Sequence, residues 1–166
     1  MILGVPTATY TLIHVIISLI AIATGLIVLF GLLSNRRLSG ITAVFLIFTA
    51  LTSLTGFAFP NSHLTPGVKV GIISMVVLAV AALARYGFHL AGVWRRAYVV
   101  TAMVALYLNV FVLIVQLFEK VPALRALAPH QNEAPFAATQ LAVLLLFIVL
   151  TTFAAMKFRT GARSAA

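Results

Sequence analysis

Apolar residues run along this chain in five long blocks, separated by short polar breaks. The blocks cover residues 10–33, 41–59, 68–91, 97–118 and 136–156. A helix needs roughly 20 mostly apolar residues to cross a bilayer, and each block is near that length. The breaks carry turn and boundary residues: Ser34-Asn35-Arg36-Arg37, Pro60-Asn61-Ser62-His63, Trp94-Arg95-Arg96, and a longer connection over 119–135 with Pro122, Pro129 and Pro135. Pro66 suits the first turn of the third helix. The stretch 122–128 suits a short helix on the membrane surface.

The apolar runs are continuous and lack the alternation of period two that a barrel strand needs. Only helices and closed barrels satisfy their own backbone hydrogen bonds in lipid, so the pattern predicts helices. The expected fold is a single all-α transmembrane domain over 1–166, a bundle of five spans. Small residues suggest where the helices meet: Ala21 and Gly25 in the first, Thr52 and Gly56 in the second, Ala79, Ala81, Ala82 and Ala84 in the third.

Charge then orients the bundle. Arg36, Arg37, Arg95, Arg96, Lys157, Arg159 and Arg163, with Arg85 close by, belong to one side. Lys69, Lys120 and Arg125 belong to the other. Cationic loops favour the cytoplasm, which predicts the N-terminus outside and the C-terminus inside. The opening Met1-Ile2-Leu3-Gly4-Val5-Pro6 has no basic residue, so the first block is expected to be a span and not a removable signal.

Composition agrees with this picture and narrows the chemistry. Of 166 residues, 63% are hydrophobic and 8% charged, against about 45–50% and about 25% in soluble domains. The net charge of +9 sits at helix ends, where it contacts anionic lipid headgroups, so no nucleic-acid partner is expected. No cysteine is present, which excludes disulfides and thiolate chemistry.

Polar groups within apolar spans are candidate sites, because burial in lipid is costly. Asn109 lies mid-span with Tyr107 nearby, as an interhelical clamp or a ligand or quinone contact. Arg85 and His89 are four apart and would share one face of the third helix. By depth, Arg85 is expected to snorkel to the basic surface beside Trp94, Arg95, Arg96 and Tyr98. At the opposite side stand His14 with Tyr10 on its face, His63, and His130, Gln131 and Glu133, with Gln116 and Gln140 below. Convergence of His14, His63 and His130 with Glu133 would make a metal or proton site, or a hydrogen-bonded lid. Haem b is an alternative through His14 with His63 or His130, since paired axial ligands must lie at one depth. No cofactor is required, and neither a phosphate loop, an embedded acid nor a nucleophile elbow is present.

Several segments carry a resemblance. They are Leu54-Thr55-Gly56-Phe57-Ala58-Phe59-Pro60, Ala84-Arg85-Tyr86-Gly87-Phe88-His89-Leu90-Ala91-Gly92, Leu106-Tyr107-Leu108-Asn109-Val110-Phe111, Pro122-Ala123-Leu124, Leu127-Ala128-Pro129 and Glu133-Ala134-Pro135-Phe136. Together they resemble a widespread group of small bacterial multi-pass inner-membrane proteins with no established activity. That resemblance implies a bacterial inner membrane and points to His89, Asn109 and the loop around Pro129. The leading expectation is a non-catalytic accessory or assembly subunit, or a lipid-interacting protein. Other membrane subunits or a second copy of the chain are possible partners. A haem-, quinone- or metal-binding redox bundle is the alternative, and a small transporter or channel the second.

Overall fold

The computed structural model describes residues 1–60 and 65–159. Among them are six helices: α1 (Thr7–Leu33), α2 (Ser39–Phe57), α3 (Pro66–Ala82), α4 (Val93–Lys120), the short α5 (Pro122–Leu127) and α6 (Ala134–Lys157). A π-helical turn, Leu83–Gly87, extends α3. Five of these helices are long and apolar enough to cross a membrane, α3 counted with its π turn. No strand forms among the described residues; Ile2 and Val5 make an isolated bridge.

The helix ends follow from local chemistry. Pro6 precedes α1. At its other end Asn35 takes a left-handed φ of 55°, and the Arg36 and Asn35 amides donate to the Gly31 and Leu32 carbonyls. This is a Schellman closure, with Asn at the position that usually needs Gly. Pro66 opens α3, and the Thr65 hydroxyl accepts from the Val68 amide at 3.3 Å. Pro122 and Pro135 stand in the first turns of α5 and α6, where a missing N–H costs nothing.

The third helix differs from expectation. It was expected to run to residue 91, but helical structure ends at Gly87. The Phe88 amide donates to the Leu83 carbonyl and the Leu90 amide to the Ala84 carbonyl, a widened closure that unwinds the chain. His89 and Leu90 then adopt φ of 48° and 61°, a conformation that L side chains rarely hold. The four-residue spacing therefore does not put Arg85 and His89 on one helical face.

Up-and-down connection brings the end of α1, the start of α2, the end of α3, the start of α4 and the end of α6 together. This is the basic end. α4 is central: it packs on α3, α6, α1, α5 and α2. In its most apolar window 44% of residues are buried, against 6% for α6, which therefore leaves most of its surface open. The main core lies towards the basic end, around Val28, Leu32, Phe45, Ala81, Tyr98, Met103 and Leu106. A smaller cluster, Ile114, Phe118 and Ala128, seats the α5 connection at the opposite end.

Small residues make closest contact in α1. A Cβ on Gly25 would stand 2.5 Å from Leu106 Cδ1 and 2.8 Å from the Phe45 ring. Gly56 is different, with only His14 at 3.6 Å, so the Thr52 and Gly56 pair is not a tight crossing. In α3, Ala81 and Ala84 are buried, whereas Ala79 faces outward.

Candidate functional site

Four polar groupings and two clefts take up most of the described residues singled out in the sequence. At the end opposite the basic one, α1 and α2 are tied together. The Tyr10 hydroxyl donates to the Thr55 carbonyl at 2.9 Å. His14 Nδ1 lies 2.7 Å from the Thr55 hydroxyl, whose own proton faces the Leu51 carbonyl at 2.7 Å. That arrangement leaves the Thr55 oxygen to accept, and assigns the proton to His14 Nδ1. Both rings meet Phe59 edge-on at 5.3 Å. His14 is thus one element of a helix–helix contact.

In mid-bundle Asn109 of α4 donates to the Thr49 hydroxyl of α2 at 3.1 Å, with both residues buried. Tyr107, two residues earlier, faces elsewhere: it is half-buried against Phe111 at 6.2 Å and Phe147 of α6 at 5.6 Å. The helical rotation between them separates the two candidates, so they do not form one site. Further along α4, Gln140 of α6 donates to the Phe111 carbonyl at 3.3 Å, while its own carbonyl oxygen is buried without a partner.

The connection from α5 to α6 is organised by Glu133. Its carboxylate accepts from the His130 amide at 3.1 Å, from His130 Nδ1 at 3.1 Å, and from the Asn132 amide at 3.1 Å. Desolvation acts upward on this carboxyl, but the hydrogen bonds from His130 and Asn132 outweigh it, so its pKa lies below the ordinary glutamate value. Gln131, at a left-handed φ of 59°, donates to the Val115 carbonyl and fastens the loop onto α4. A shallow cleft of about 320 Å³ beside it is lined by Glu119, Lys120, Arg125, Pro129, His130 and Gln131.

Among the described residues, His14 and His130 do not converge. His14 is engaged with Thr55 of α2, and His130 with Glu133 of its own loop. Among the described residues no three His, Asp or Glu side chains come together in a metal-holding group. His63 lies outside the described residues.

The basic end departs most from the sequence reading. Arg85 does not snorkel: it is 9% exposed and turned into the bundle. Its Nη2 donates to the Ser39 hydroxyl at the start of α2, at 3.1 Å. Its guanidinium lies 5.2 Å from the centre of the Tyr98 ring and 5.7 Å from that of Tyr86. Tyr98 is fully buried core, and not an interfacial aromatic. Helical spacing accounts for this: Arg85 lies four residues after Ala81 and seven after Leu78, so it continues the buried face formed by Gly71, Ser74, Leu78 and Ala81. His89 is left exposed in the left-handed loop, beside a Phe88–Trp94 stack at 3.9 Å and 3°.

Next to this lies a cleft of about 860 Å³ between the start of α4 and the end of α6. Gly92, Arg95, Arg96, Val100, Thr151, Thr152, Ala155, Met156 and Arg159 line it, with no acidic residue. Arg95 donates to the Phe158 carbonyl, which holds its guanidinium at the rim. The Arg159 amide donates to Asn35 Oδ1 at 2.7 Å, so the chain after α6 is tied to the α1–α2 turn. Guanidinium groups bind phosphate or carboxylate oxygens bidentately, so the rim suits an anion and the apolar floor a hydrocarbon chain. The sequence marks these arginines only as span flanks. Their meeting follows from α4 starting where α6 ends. Comparison with family models, curated proteins and solved structures finds no match to this chain.

Proposed function

We propose that this chain is a non-catalytic protein of the bacterial cytoplasmic membrane that works by binding anionic phospholipid at its basic end. In this reading the N-terminus is outside and the C-terminus cytoplasmic. The binding chain serves as a lipid-interacting protein or an accessory subunit held in an anionic lipid environment. The observation that carries it is the arginine-rimmed cleft between α4 and α6, with Arg95, Arg96 and Arg159 above Val100, Ala155 and Met156. Such basic pockets between spanning helices, at headgroup depth, fit anionic lipid. The exposed apolar surface of α6 alongside supports acyl-chain contact.

Native mass spectrometry of the chain with phosphatidylglycerol and phosphatidylcholine tests it. Selective retention of phosphatidylglycerol, reduced by Arg96→Ala, is expected; equal retention of both lipids would sink the idea. The sidedness has its own test, helped by the absence of cysteine. A cysteine at Ser34 should be shielded from an impermeant maleimide in intact cells, and one at Asn132 should be labelled.

A further inference from the structure

Within that reading, on which this inference rests, we infer that the cleft takes a phospholipid bearing two phosphates, of the diphosphatidylglycerol class, and not a lipid with a single phosphate. The cationic groups are divided between two walls. Arg95 and Arg96 come from the first turn of α4, and Arg159 from the chain leaving α6. Both walls are held in place by bonds that do not involve a ligand. Arg95 donates to the Phe158 carbonyl, and the Arg159 backbone amide donates to Asn35.

Each guanidinium has five N–H donors in a planar fork. Arg95 spends part of its fork on Phe158, and among the described residues no carboxylate lines the cleft. One phosphate placed on the α4 wall leaves the α6 wall cationic. Two phosphates on a short glycerol bridge meet both walls at once.

The lower lining matches the rest of such a lipid. Thr152 turns its hydroxyl back to the Ile148 carbonyl at 2.8 Å, so its methyl side remains for contact. With Val100, Ala155 and Met156 it continues onto the open apolar face of α6, which offers room for several acyl chains. The cleft volume of about 860 Å³ also exceeds what one phosphate fills.

The experiment is a native mass spectrometry titration of the full chain in detergent. The probes are tetraoleoyl diphosphatidylglycerol, dioleoyl phosphatidylglycerol at equal phosphate, dioleoyl phosphatidylcholine and inorganic pyrophosphate. The two-phosphate lipid should bind about fivefold tighter than phosphatidylglycerol for each additional arginine engaged. Arg159→Ala should remove this preference and leave phosphatidylglycerol binding in place. Arg159→Lys, which keeps the charge and guards against loss of fold, should retain part of it. Removing equal charge elsewhere on the basic end, with Arg37→Ala, should leave the preference intact. Equal affinity for the one- and two-phosphate lipids overturns this inference alone. No preference for either over phosphatidylcholine overturns the lipid-binding reading with it. Pyrophosphate binding as tightly as the lipid assigns the cleft to a free anion, and also overturns it.

Discussion

The Asn109 side-chain amide reaches across from α4 to donate to the Thr49 hydroxyl of α2 at 3.1 Å. Thr49 is fully buried and Asn109 is 9% exposed, so the bond is shielded at the centre of the bundle. In lipid the unfolded helices still find hydrogen-bond partners, which keeps the net value of such bonds small. A double-mutant cycle with Asn109→Leu and Thr49→Val should give a coupling of about 0.6 kcal/mol, the typical size for an interhelical bond in a membrane protein. Equilibrium unfolding in mixed micelles measures it. A coupling indistinguishable from zero would refute the clamp.

Gly25 has no room for a methyl group. Its added Cβ would fall within 3.0 Å of Leu106 and of the Phe45 ring, and both side chains are fully buried. Gly25→Ala is therefore expected to destabilise by about 1–3 kcal/mol, the usual effect of overpacking. Gly40 meets nothing within 4 Å and is the internal control. Gly40→Ala should be neutral or slightly stabilising, because alanine favours helix by up to about 1 kcal/mol. Thermal unfolding of the two variants in one detergent separates them.

Arg85 depends on shape as well as charge. A forked guanidinium can lie 5.2 Å from the Tyr98 ring centre and still reach Ser39, whereas an ammonium is a single point of charge that cannot serve both. Arg85→Lys should cost about 0.5–2 kcal/mol, in the range of a partly desolvated cation–π contact. Tyr98→Phe keeps the ring beside the Arg85 guanidinium and removes only the hydroxyl, so it should cost less. The opposite ranking in thermal unfolding would contradict the cation–π contact.

Glu133 makes the α5–α6 connection sensitive to acid. Its carboxyl titrates lower when folded than when unfolded, owing to the hydrogen bonds from His130 and Asn132. A depressed acid stabilises fully above its unfolded pKa, and that stabilisation is lost as pH falls through the folded value. The loop should be unchanged across neutral pH and loosen only below the ordinary glutamate value of about 4.3. Hydrogen exchange at the His130 and Asn132 amides, corrected for intrinsic pH dependence, reports it. Glu133→Gln should show weaker protection already at neutral pH.

The helix number and most helix limits were legible in the chain because lipid imposes length and apolarity on every span. Asn109 stood out because a lone amide in an apolar run is conspicuous, although its partner Thr49 did not. The candidate cleft was only half legible. Arg95, Arg96 and Arg159 were visible as flanks, but nothing local links 95 to 159. His14, with Tyr10, was visible as a polar group near a helix start, and its engagement with Thr55 was not. For Arg85 the depth could be counted along the sequence, whereas which face of α3 meets α2 and α4 is set by helix packing.

The sequence by itself determined five apolar helices, their breaks and the concentration of cations at one end. These are properties of single segments meeting lipid or water, so local composition suffices. Only the tertiary structure decided that Arg85 turns inward to Ser39 and Tyr98, that His14 and His130 serve separate contacts, and that three arginines rim one cleft. Those outcomes depend on the rotation and crossing of helices. Packing between distant residues sets both, and no short window of sequence contains it.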